Sequence, residues 1–160
     1  MTTSHTTPLP PNLVTRLCEA AGAPEDVHSV EALADLWLAE HLSDDGDPEE
    51  ASWSDLCVFE LDAHPEVLLA FCLRALRKAS NAWQVGLLAA GPLEELICTH
   101  GADVIDRIED QARRSARVRY ALTGIWSQNI EDEGLRARIE AARAEAMEAG
   151  LDTGAPLPPA

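Results

Sequence analysis

The sequence predicts an all-α fold of antiparallel helix pairs, arranged as an irregular bundle or a short HEAT-like α-solenoid. Three observations carry that expectation. Apolar residues recur at helical spacing through most of residues 12–149. No stretch alternates with the period of two that a half-buried strand requires. The interruptions fall at Gly, Pro and Asp clusters that turn or end a chain. Short helices joined by tight turns pack beside their neighbours, and no exact repeat separates bundle from solenoid.

A first helix is expected from Asn12 to Ala21, stopped by Gly22 and Pro24. Ser29 is the N-cap candidate of a second, whose apolar face holds Val30, Leu33, Leu36, Trp37 and His41. An acidic turn-rich loop, Asp44-Asp45-Gly46-Asp47-Pro48, separates it from a third helix with Trp53, Leu56, Cys57 and Leu61 in one stripe. His64-Pro65 breaks that helix, and Pro65 suits the first position of the next. Residues 66–79 are apolar almost all round as far as Leu73, which predicts the central element, with Leu68, Phe71, Cys72 and Leu76 buried. Its basic exit, Arg74, Arg77 and Lys78, complements the negative end of the helix dipole.

A short segment, Ala82 to Ala90, leads to Gly91-Pro92, where proline is expected to restart a helix carrying Leu93, Leu96, Ile97 and His100. Gly101 reads as its C-terminal cap. The next helix should turn Val104, Ile105, Ile108 and Ala112 inward, and a further one Val118, Ala121, Leu122, Ile125 and Trp126. The last, Glu131 to Ala149, has only the weak stripe Leu135, Ile139 and Ala142. This organisation is one helical domain, 12–149, between loose tails at 1–11 and 150–160 that are rich in Thr, Gly and Pro.

Charge is the most informative part of the composition. The formal net charge is −16, and up to Leu73 one basic residue stands against fifteen acidic ones. Phosphate-rich nucleic acid and anionic lipid surfaces are disfavoured partners for that half, and a basic protein is favoured. The longest apolar run, Val67 to Leu73, is too short to span a bilayer, and the N-terminus lacks the pattern of a signal peptide. A cytoplasmic location is therefore expected. Cys18, Cys57, Cys72 and Cys98 are widely spaced among apolar neighbours, as buried free thiols are.

The string Leu88-Ala89-Ala90-Gly91-Pro92-Leu93-Glu94-Glu95-Leu96 precedes His100-Gly101. Then come Ile105-Asp106-Arg107-Ile108-Glu109 and Leu122-x-Gly124-Ile125-Trp126. Together these resemble a family of small bacterial proteins classed as a domain of unknown function. The resemblance covers about half of the chain, residues 53–126, and includes the His64-Pro65-Glu66 helix start. It implies a compact helical domain and carries over no activity and no functional residue.

Motifs for chemistry are sparse. No G-x-S-x-G elbow, phosphate loop or dinucleotide fingerprint occurs, so no catalytic residue, metal ligand or cofactor is assigned. His100, Asp103 and Asp106, with Glu94 and Glu95 nearby, are the nearest approach to a polar cluster, and they read first as ordinary helix-end residues. Arg107, Arg113, Arg114, Arg117 and Arg119 concentrate positive charge, but Asp106, Glu109 and Asp110 are interleaved, as on a solvated ion-paired face. The acidic loop residues Asp44, Asp45, Asp47, Glu49 and Glu50, with Trp53 beside them, are the candidate binding residues. The expected function is a non-catalytic protein-binding domain, an immunity- or antitoxin-like inhibitor of a basic partner. A metal-dependent enzyme and a structural or regulatory module, including a homodimer through an exposed apolar face, are the alternatives.

Overall fold

The computed structural model describes residues 6–22, 27–42, 53–143 and 156–160. Its elements are α1 (Pro11–Ala21), α2 (Val30–Glu40), α3 (Trp53–Glu60), α4 (Pro65–Lys78), α5 (Ala82–Leu88), α6 (Glu94–Arg114), α7 (Ala116–Leu122) and α8 (Glu133–Ala142), with short 3-10 turns at Leu61–Ala63 and Ser127–Asn129. Among the described residues the only extended pairing is an isolated bridge between Pro8 and Ser29. The all-α class holds. No helix among the described residues is long and apolar enough to cross a membrane.

Helix α4 is the hub. Leu68, Leu69, Phe71, Cys72, Ala75 and Leu76 are buried along it, and it touches α2, α5, α6 and α7. Contact with elements from both halves of the chain suits an irregular bundle better than a solenoid, whose units touch only their neighbours. Trp37 of α2 presents its indole edge-on to Phe71, centroids 6.2 Å apart. Pro65 opens α4 at its first turn, where its missing N–H costs nothing. At the other end Arg117 donates through Nη1 to the carbonyls of Leu76, Arg77 and Ala79, three acceptors that the helix itself leaves unpaired.

Local capping follows the sequence. Ser29 accepts the Ala32 N–H, Asn81 the Gln84 N–H, Ser115 the Val118 N–H and Asp132 the Leu135 N–H. Gln84 is buried and fully employed: its Nε2 donates to the Leu38 carbonyl at 2.8 Å, and its Oε1 accepts from the Ser80 N–H. That polar strut fastens α5 to the end of α2.

Several elements differ from expectation. The chain does not break at Gly91-Pro92. It passes through one π-helical turn, Ala89–Leu93, directly into α6, with the Glu94 N–H donating to the Ala89 carbonyl five residues back. A proline inside an α-helix lacks a donor and crowds the carbonyl four residues earlier, and the wider turn relieves both. The expected helix end at His100-Gly101 is present as a kink: the backbone leaves helical geometry at His100 (φ −128°, ψ 20°), so α6 is two helical stretches joined there. Gly101 is not the left-handed cap expected, and a Cβ there would overlap the side chain of Leu135 on α8. Its lack of a side chain serves helix–helix approach.

In α3 and the turn after it Ser54, Cys57, Val58 and Leu61 are buried, so Cys57 and Leu61 of the expected stripe lie inward while Leu56 does not, and the side chain of Trp53 lies outside the description. Ser54 donates to Glu40, and Asp55 is held by α2, so polar contacts rotate the helix and turn Leu56 outward. Trp126, expected inward, is 61% exposed. Arg143 is extended, so α8 stops at Ala142.

Two segments read as parts of tails make defined contacts. The Leu9 N–H donates to the His28 carbonyl and the Val30 N–H to that of Thr7, burying Leu9. At the other end, the carbonyls of Pro158 and Pro159 accept from Arg117 Nε and its backbone N–H.

Candidate functional site

Among the described residues a cleft of about 520 Å³ lies between α2 and α3 on one side and the π turn with the start of α6 on the other. That volume lies in the range of sites that hold a small molecule or a few side chains. Its apolar walls come from Trp37, Val58, Phe59, Leu68 and Leu87. The opposite wall is bare, made by Ala90, Gly91 and Pro92 of the π turn.

One polar assembly lies at its base. His41, just past the end of α2, stacks on Trp37 with centroids 4.1 Å apart and planes 20° from parallel. Its Nδ1 donates to the Trp37 carbonyl at 2.7 Å, and its Nε2 lies 3.2 Å from Asp55 Oδ2. Asp55 Oδ1 accepts the Trp37 Nε1–H at 3.0 Å. Both ring nitrogens of His41 therefore face acceptors, an arrangement that suits the imidazolium. Burial pulls its pKa down, but the hydrogen bonds to Asp55 and Trp37 and the charges of Asp55 and Glu40 outweigh that and raise it.

The other charged groups of the cleft are carboxylates: Asp62, Glu94 and Glu95. With Asp55 they make four carboxylates against one histidine, and among the described residues no Lys or Arg lines the cleft. Glu94 is occupied, accepting from the Trp126 N–H and from Asn129 Nδ2. Asp62 is only partly engaged. Its Oδ1 is buried without a hydrogen bond, at an ion-pair distance of 3.5 Å from His100 Nε2, which donates to the Asp62 carbonyl at 2.9 Å. Phe59 at the mouth is 72% exposed, and Leu56 one turn earlier 42%.

The residues singled out from the sequence are distributed differently. Asp44, Asp45, Asp47, Glu49 and Glu50 lie outside the described residues, and Trp53 is described only as the first residue of α3. His100, Asp103 and Asp106 do not converge: His100 reaches back to Asp62, Asp103 is exposed, and Asp106 pairs with Arg138. Among the described residues no three His, Cys, Asp or Glu side chains group as a metal site. The arginine run is ion-paired and structural. Arg107 pairs with Glu66, Arg113 and Arg114 with Asp110, and Arg119 donates to the Ala112 carbonyl. Arg138 spans Asp106 and Glu109 and, through its hydrogen bond above all, holds the Glu109 carboxyl below its usual range. Sequence reasoning missed the cleft. One signal was available, since α3 carries more apolar residues than a single buried face can use.

A family model described as a family of unknown function (DUF6869) matches residues 41–147. The chain belongs to this family. The DUF6869 match begins at His41 and takes in Asp55, Phe59, Asp62 and the whole π turn, so most of the cleft falls within the family's span, while α1 and α2 lie before it. No curated protein and no solved structure matches the chain.

Proposed function

We propose that this protein is a non-catalytic protein-binding domain that recognises a basic partner, in the manner of an immunity protein or antitoxin. The observation that carries this reading is the exposed Phe59 on a cleft lined by apolar residues and by the carboxylates Asp55, Asp62, Glu94 and Glu95, with Leu56 exposed one turn earlier on α3. Aromatic anchors beside a desolvated pocket dominate protein recognition energetically. The acid-rich first half, with Asp44, Asp45, Asp47, Glu49 and Glu50 immediately before α3 in sequence, would steer a basic surface towards that anchor. A cytoplasmic setting accords with the free thiols Cys57 and Cys72 buried in the core.

The test is selection from a displayed peptide library against the full chain, followed by association and dissociation rates of the winners. Selected sequences should be rich in Lys and Arg, with association slowing steeply as salt rises. Neutralising the five loop acids together should slow association, and Phe59→Ala should speed dissociation. Binders that lack basic residues and are indifferent to both variants would end this reading.

A further inference from the structure

Gly91 and Asp62 face a shared question, which is what the cleft is built to hold. Beyond its own turn a Cβ at Gly91 would meet nothing within 4 Å, so no packed neighbour requires glycine there, although Pro92 directly after it disfavours a Cβ in helical backbone. Glycine inside a helix costs up to about 1 kcal/mol relative to alanine. Gly101 is the contrast, since Leu135 occupies the space its side chain would need. What Gly91 does provide is an open wall on the cleft, where a ligand can approach the backbone.

Asp62 supplies the second observation. Its carboxylate has one buried oxygen without a hydrogen bond, 3.5 Å from His100 Nε2, and the side chain is 42% exposed, so the other oxygen is the one open to a ligand. A carboxylate in that state is an acceptor short of a donor. Glu95 stands nearby on the same cleft, exposed and bonded only to Thr99 within its own helix. Phe59 and Leu87 line the same cleft.

We infer that the cleft is a subsite for two adjacent side chains of the basic partner: an apolar one seated against Phe59, Leu87 and Gly91, and an Arg or Lys whose cation meets Asp62 and Glu95. Arginine fits best, because its planar fork can satisfy a carboxylate in two places. This rests on the protein-binding reading and adds the chemistry of what is recognised.

Short peptides test it without the partner. Acetyl-Leu-Arg-amide, acetyl-Leu-Gln-amide and acetyl-Gly-Arg-amide are each titrated at millimolar concentration into the full chain, followed by amide NMR shifts. Acetyl-Leu-Arg-amide should move the signals of Phe59, Asp62 and Gly91, and each of the other two should bind about tenfold more weakly or worse, the scale of one lost charge-assisted contact. Asp62→Asn with Glu95→Gln should erase the preference for arginine, and Gly91→Leu should block all three peptides while Gly91→Ala does not. Shifts located elsewhere, equal binding of the glutamine peptide, or no binding would overturn the subsite. Library binders that still require the loop acids and Phe59 would then show that the broader reading survives it.

Discussion

His41 Nε2 lies 3.2 Å from Asp55 Oδ2 and ties the end of α2 to the first turn of α3. Although burial opposes the charge, the hydrogen bonds to Asp55 and Trp37 raise the pKa of His41 above its ordinary 6.5. The folded state thus binds this proton more tightly than the unfolded chain. The resulting stabilisation is complete below pH 6.5 and is lost as pH rises through the raised folded value. The His41 C2–H signal should titrate with a midpoint above 6.5, and Asp55→Asn should lower that midpoint and flatten the fall in stability. A native midpoint at or below the ordinary value would show that the pair does not hold in solution.

Gly91 in the π turn and Gly101 just past the His100 kink should respond differently to the same change. Gly101→Ala forces Leu135 away and should cost about 1–3 kcal/mol, as overpacking does. In a Leu135→Ala background that cost should disappear. Gly91→Ala meets no packed neighbour beyond its own turn, and alanine's better helix propensity is offset by crowding against Pro92, so the change should stay within about 1 kcal/mol. Chemical denaturation of the four variants decides, and a Gly91→Ala loss as large as that of Gly101→Ala would contradict the open wall.

At the hub, Leu68→Ala removes a side chain that is buried in α4 and should cost about 2–5 kcal/mol. Arg117→Met leaves the Leu76, Arg77 and Ala79 carbonyls without their shared donor and should cost about 1.5–3 kcal/mol. Denaturant midpoints that barely move in either variant would displace α4, or its cap, from the centre of the fold.

The thiols should separate by position. Cys57 and Cys72 are buried, and burial above all pushes the Cys57 pKa up to about 11 and that of Cys72 further still. Neither should react with a disulfide reagent until the protein unfolds. Cys98, expected among the buried thiols, is exposed instead. Partial desolvation and the nearby Glu94, Glu95 and Glu131 raise its pKa too, so it should react in the native state, slowly at neutral pH and faster as pH climbs. Cys18, also expected to be buried, is half-buried, and reaction of Cys57 or Cys72 in native protein at neutral pH would refute this ordering.

The helical class, the start of α4 at Pro65, the Ser29 cap and the central place of Leu68, Phe71, Cys72 and Leu76 were all legible in the sequence. So were the acidic first half and the family string around Ala89-Ala90-Gly91-Pro92. These depend on residues within about one helical turn, or on composition alone, and local propensity is sufficient for them. The cleft depended on tertiary structure. His41 meets Asp55 across 14 residues and His100 meets Asp62 across 38, and no local rule ranks such pairings. The rotation of α3 that buries Ser54 and exposes Leu56 was set by Glu40, Trp37 and His41 on another helix. Gly91 and Gly101 look alike as letters, each beside a helix-breaking signal. Only the position of Leu135 decided that one is filled space and the other open, because a steric requirement belongs to the neighbour that imposes it.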